Sequence, residues 1–335
     1  MASASNAKIQ IESGQSLKPW ESLADAGDHK TFNPSAAILS GATPPEVRPD
    51  GVVTGVNLLS PGANADEVNV AAFTAYSGGV LHAVSSGTVS ITRPATAVAK
   101  VCSITMDSSG ALAVVAGTDG SDADFVETRG AAGGPPLIPA GSVELGQVRV
   151  TASTPALITA AQILQNGQYT ERADFPVFTV NNIGKGLSAE TAGETNAYVQ
   201  FNEALPLSHG TGQTKGIHGR YYIPSFADIA KSQDFVPAET SHSISSTSYY
   251  GGATASSSES LGQASFTALL DSGVSDFLVA QKNKTVTVKF FPNRNASGHI
   301  VTQGKLGISR SFPVGDQIQA ACTITAEVAS AEFSS

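Results

Sequence analysis

Charge is what this 335-residue sequence has least of. Asp, Glu, Lys and Arg make up 14% of it, against roughly 25% in ordinary soluble domains, so something other than water-facing Lys and Glu covers part of its surface. Further copies of the same chain are the natural cover, because symmetric association buries one patch on every subunit. Disorder is the competing explanation, and 41% hydrophobic residues in regular alternation argue against it. Basic residues are the scarcer sign, 19 against 28 acidic for a net charge of −9. They form no cluster, which excludes a protein that grips a phosphate backbone tightly. A mildly acidic wall suits the opposite task of letting DNA pass without sticking, since it repels phosphates over about 8 Å at physiological salt. Cysteine is nearly absent. Cys102 and Cys322 cannot supply the framework of a small disulfide-stapled protein, and both lie in alternating apolar runs that predict buried free thiols. No run approaches 18 consecutive apolar residues, which excludes a membrane-spanning helix. The opening residues, Met1 to Asn6, are polar and lack the apolar stretch of a signal peptide. A chain that stays in the cytoplasm where it is made until it assembles is therefore expected.

What is present is Gly, Ser, Ala and Thr between short apolar alternations. Residues 1–50 are rich in Pro, Ser and Ala, with turn signals at Asn33-Pro34 and Pro44-Pro45, and read as an extended N-terminal arm with little core of its own. Residues 51–152 read as a β-rich domain with strands near 68–73, 88–92, 101–106, 111–116 and 143–150. Cys102, Ile104 and Met106 share one face, and Asp107-Ser108-Ser109-Gly110 turns the chain into Leu112 and Val114 as a hairpin. A helix is predicted next. Thr154 caps it, Pro155 takes its first position, Leu157, Ala161 and Leu164 line one face, and Asn166-Gly167 stops it. Residues 153–335 read as a second β-rich domain, with strands near 175–180, 199–205, 265–270 and 285–290 and a short helix begun by Ser272. The stretches 207–219 and 241–259 read as Gly-rich and Ser-rich loops. The final strand is the clearest, with Ile318, Ala320, Cys322, Ile324, Ala326 and Val328 on one face and Gln317, Gln319, Thr323, Thr325 and Glu327 on the other. The fold class is thus mainly β, an antiparallel sandwich or open barrel.

Catalytic chemistry needs convergent titratable groups, and the sequence offers none. His29, His82, His209, His218, His242 and His299 are scattered, without a second His or Cys at metal-ligand spacing. The nearest pair, His209 and His218, flanks a Gly-rich stretch whose Lys215 precedes Gly216 instead of following a second Gly, so it fails as a phosphate loop. Asp119 to Asp124 lacks the calcium-loop pattern, with Asp124 and Gly130 where Gly and Glu belong. No catalytic, cofactor-binding or metal-binding residue is assigned, no cofactor is expected, and the chain is read as a non-enzyme.

Two runs carry a family resemblance. Pro135-Pro136-Leu137-Ile138-Pro139-Ala140-Gly141-Ser142-Val143-Glu144-Leu145-Gly146-Gln147-Val148-Arg149 resembles a segment of structural proteins from siphophages, in particular the transposable ones with long non-contractile tails. Gly304-Lys305-Leu306-Gly307-Ile308-Ser309-Arg310-Ser311-Phe312-Pro313-Val314-Gly315-Asp316, with the strand after it, is similar to the end of their major tail tube proteins. The strand, helix, strand order over 265–292 is similar to the tail-tube core, and the likeness spans about residues 50–330. The resemblance implies a fold of tail-tube type with one or two short helices, whose subunits stack as rings into a tube for DNA ejection. The rings are hexamers, or trimers of two-domain subunits. It implies as partners the chain itself, the tape measure protein, and tail tip and terminator proteins. DNA passes in the lumen without specific binding, and no membrane is involved. Location follows as the virion tail, with the host cytoplasm during assembly. The alternative is a receptor-binding, baseplate or capsid decoration protein. On this reading residues 1–50, 207–219 and 241–259 order at contacts between copies, deleting the N-terminal arm weakens polymerisation more than folding, and His209→Ala is harmless.

Overall fold

Alternation of apolar and polar residues along the C-terminal third builds the largest element of the molecule, a nine-stranded antiparallel sheet. In this computed structural model, which describes residues 4–165, 172–174, 177–183 and 197–333, its strands run in the order Ser232–Val236, Ala264–Leu270, Ile318–Ala326, His299–Ser311, Thr285–Phe291, Lys8–Ser22, Ile217–Ile229 and Glu46–Pro49. Ala331–Phe333 pairs additionally with His299–Ser311. Ala320, Cys322 and Ile324 point into one core with Phe266, Ala268, Val286, Val288, Leu306 and Ile308, while the residues between them face outward. Burial on one face and solvent on the other is what a period-two pattern produces in an antiparallel sheet.

A second body is built from residues 51–165 as three smaller antiparallel sheets. Lys100–Met106 is its centre, between Leu112–Ala116 and Val143–Val150, with Ile163–Gln165 outside the latter. Ile104, Met106, Val143, Leu145 and Val148 pack there against Val52, Leu59, Val68 and Phe73. The predicted hairpin is present: Asp107 Oδ1 accepts the amides of Ser109 and Ala111, and Gly110 takes φ +88°. Every residue of Lys100–Met106 is buried, including Ser103 and Thr105 on the face opposite Cys102, Ile104 and Met106. The segment 117–142 covers that face, and the chain solves the resulting polar burial with one network. Glu144, fully buried, accepts from Ser103 Oγ at 2.5 Å and from both guanidinium nitrogens of Arg129. Both cysteines are free and buried, and burial pushes the Cys322 thiol up to about 12.

Several expectations are corrected. Residues 8–22 are no arm; they form an inner strand of the nine-stranded sheet, paired to Ile217–Ile229 on one side and Thr285–Phe291 on the other. Ile9 and Ile11 are buried, and Glu12 reaches inward to bond Ser40 Oγ and the Thr287 amide. The alternation from Lys8 to Glu12 outweighs the turn-rich composition around it. The helix expected after Thr154 does not form. The chain is extended to Thr159, makes one 3-10 turn over Ala160–Gln162, and enters the strand Ile163–Gln165. Pairing to Val148 and hydrogen bonds of the Gln165 amide to both backbone groups of Leu59 give that backbone better partners than a marginal helix offers. Its predicted stop at Asn166-Gly167, and the start of the strand at Phe175, lie outside the described residues. The second short helix exists as Phe277–Ala280, with Asp276 at its N-cap position in place of Ser272. No helix among the described residues is long and apolar enough to cross a membrane.

Candidate assembly surface

The least self-sufficient element of the chain is a long ribbon. Thr240–Tyr249 pairs with Gly252–Leu261 in unbroken register, from Thr240 opposite Leu261 to Tyr249 opposite Gly252, and Tyr250-Gly251 is the two-residue turn. Gly251 at φ +106° supplies the backbone conformation such a turn requires. Ten residues a side make it about 33 Å long at roughly 3.3 Å per residue. From Ser241 to Ser260 its described side chains are all exposed. Nothing apolar adds to the backbone ladder between the two strands; cross-strand hydroxyl pairs do, Ser241 to Ser260 at 2.9 Å and Ser243 to Ser258 at 2.6 Å. Glu259 is its sole formal charge, and Ile244, Tyr249 and Tyr250 are its exposed large apolar groups. A lone two-stranded hairpin is marginal in water, so a ribbon of this length and composition is suited to lie against another surface. The ribbon replaces the Ser-rich loop expected over 241–259, because an element buried on neither face has no hydrophobic period to show.

The second segment expected to order at a contact, 207–219, is partly buried within the chain itself. His209 is buried, donating from Nε2 to the Ser142 carbonyl at 3.0 Å and accepting at Nδ1 from Ser208 Oγ at 2.9 Å. Lys215 is buried too, its ammonium bonded to the Arg172 carbonyl. The segment therefore bolts the second body to the large sheet. The histidines that do come together are His29 and His218. Each faces a carboxylate, His29 with Asp25 at 2.7 Å and His218 with the buried Asp50 at 3.2 Å, on the wall of one cavity of about 510 Å³ between the two bodies. Asp50 Oδ1 accepts the Gly78 amide, and Gly216 leaves no room for a Cβ, which would stand 2.6 Å from Asp50 Oδ2. No group of three His, Cys, Asp or Glu among the described residues is placed to hold a metal ion. His82, His242 and His299 lie apart. His299 stacks between Phe291 and Phe333 at 4.9 and 5.0 Å.

One face of the large sheet carries the single Trp. Arg48 lies 4.3 Å over the Trp20 ring and Arg220 lies 5.6 Å from it, both held by Glu46, while Arg48 also reaches Tyr76 at 4.9 Å. Gly79 lies so close beneath the indole that a Cβ would be 3.0 Å from it. Trp, Tyr and Arg are the residues that most often dominate binding energy at protein interfaces. No family model matches this chain, and no curated protein matches it.

Proposed function

We propose that this chain is a structural subunit of a virus particle, which stacks as rings into the tube of a long non-contractile phage tail and forms the conduit for DNA ejection. The observation that carries it is the Thr240–Leu261 ribbon, an extended element with no burial of its own on a chain short of charge. An element of that kind is stable on a neighbour, and a neighbour in every ring gives each copy one. The mainly β, antiparallel architecture fits subunits that join sheets across their boundaries, which removes the free edges that otherwise drive uncontrolled aggregation. The excess of acidic residues fits a lumen along which DNA slides. Tape measure, tail tip and terminator proteins are the further partners this role entails. Two β bodies in one subunit suit a trimer with pseudo-sixfold rings as well as a hexamer.

A terminal binding role, as a receptor-binding, baseplate or capsid decoration protein, is the second reading, and the Trp20, Arg48, Arg220 and Tyr76 cluster is what favours it. Negative-stain electron microscopy of the purified protein at rising concentration separates the two. Hollow tubes or stacked rings are the expected result. Monomers or isolated small oligomers at every concentration, also with a purified tail tip added, would overturn the tube.

A further inference from the structure

The polarity of three neighbouring strands places the root of the ribbon and an exposed apolar knob at opposite ends of the same sheet. Ala264–Leu270 leaves the ribbon at Ala264 and ends at Leu270; Ile318–Ala326 runs the other way, with Ala264 opposite Ile324 and Leu270 opposite Ile318. His299–Ser311 again reverses, ending with Ser311 opposite Gln319. The ribbon therefore roots at one end of these strands, and the turns 271–277 and 312–317 sit together at the other, about 20 Å away along seven residues of strand. Those turns are welded to each other. Arg310 donates to the Gly273 carbonyl and lies 5.9 Å from the Phe312 ring. Gly273, at φ +73°, is pressed so closely on Phe312 and Ile318 that a Cβ would stand 2.6 Å from the Phe312 ring. They form an apolar knob. Val274 is 71% exposed, Phe312 57%, Phe277 43%, and Val314 fully.

We infer that the knob of one copy, made by Val274, Phe277, Phe312 and Val314, is the seat for the ribbon tip of the next copy, made by Ile244, Tyr249 and Tyr250. This rests on the reading that the chain assembles with itself, and it names the two halves of the contact. Both halves are apolar and exposed in the lone chain, and groups of that kind in a charge-poor protein mark an interaction site. Because tip and knob are different surfaces, with the ribbon rooted at the end of the sheet away from the knob, a ribbon seated in a knob leaves a free knob and a free ribbon on the outer copies. That contact is heterologous, and set between stacked rings, as the proposed tube requires, it stays open and propagates along the axis. Area sets its strength. An aromatic side chain buries about 150–250 Å², so the few groups at tip and knob fall short of the roughly 1,600 Å² of a standard stable interface. Two lone copies would part again, whereas several such contacts engaged at once around a ring hold by multivalency.

Single-cysteine copies test this directly, since both natural cysteines are buried. Tyr250→Cys and Val314→Cys proteins are mixed under conditions in which the wild type assembles, then mildly oxidised. A disulfide-linked dimer of unlike copies is expected, with little linkage in either variant alone, and a ladder of covalent multimers from the double variant. Val314→Asp should raise the concentration needed for assembly roughly tenfold and leave thermal unfolding unchanged. Assembly of the wild type without the unlike dimer, or linkage of Tyr250→Cys to itself, would overturn the seat while sparing the tube. Failure of the wild type to assemble under any condition would overturn both.

Discussion

Single residues show where polar chemistry is structural. His209 was expected to be a replaceable loop residue, yet its ring joins the Ser142 carbonyl to Ser208 Oγ inside the protein. His209→Ala leaves that carbonyl and the Ser208 hydroxyl without their partner, and should cost about 1–3 kcal/mol; urea unfolding of the variant beside the wild type measures it. Burial holds His209 below the ordinary histidine range, only partly offset by its bond to Ser142, and burial does the same to His299. The unfolded chain takes up these protons near pH 6.5, whereas the folded chain resists them. Protonation therefore favours unfolding, so the stability tied to these two rings is complete above about pH 6.5 and lost progressively below it. Urea midpoints at pH 7.5 and 5.5 should show the fall. Glu144→Ala takes the acceptor from the buried Ser103 and Gln147 side chains and from the half-buried Arg129, which keeps its bond to the Pro136 carbonyl, and should cost about 1–3 kcal/mol. A variant unfolding at the wild-type urea concentration would contradict that assignment.

At the scale of elements, deletions separate folding from assembly. Replacing 241–260 by a short Gly linker removes only exposed groups and should leave the unfolding temperature within a few degrees of wild type while abolishing tubes, read by differential scanning calorimetry and electron microscopy. Removing 8–22 does the reverse of what composition suggested, because it takes an inner strand and two buried isoleucines from the large sheet; no soluble, cooperatively folded protein should remain. Elements were legible in the sequence where burial alternates along the strand. Ala264–Leu270 lies within one residue of the expected strand, and the Ile318–Ala326 strand agrees with its alternation residue by residue. Legibility failed at the two extremes of burial. In Lys100–Met106 both faces are covered, and the alternation that located the strand carries no sign of the cover over Ser103 and Thr105. In Thr240–Leu261 neither face is covered, and the best candidate for an assembly surface looked like a loop. The 154–165 segment failed for a third reason, a cap and a proline that describe local preference while the partner, Val148, decides the outcome.

For the whole molecule, the proposed contact has a signature in solution. Glu259 is the one formal charge on the ribbon, whereas the knob's turns hold Asp271, Asp276 and Asp316, so the ribbon brings no opposite charge to them. The concentration at which tubes appear should fall between about 0.05 and 0.5 M salt, as screening relieves repulsion among copies of net charge −9, and should rise on cooling as apolar burial weakens; turbidity and sedimentation follow both. A tenfold rise with salt would instead point to ion pairs, such as those around Trp20, as the contact that matters. The inner strand Lys8–Ser22 also carries a consequence for synthesis. Gln10 bonds Asp228, 218 residues further along the chain, and Ile11 pairs with Val288. At about 5–20 residues per second a ribosome needs roughly 10–40 s to bridge the first of these separations. Throughout that interval the strand is out and its neighbours do not exist, so the large sheet closes only when nearly all of the chain has been made. The frame that carries both ribbon and knob is thus among the last things translation completes. A nascent or truncated copy has no rigid sheet to hold the ribbon's root and the knob apart, and in the proposed assembly the order of synthesis itself keeps such fragments out of the polymer.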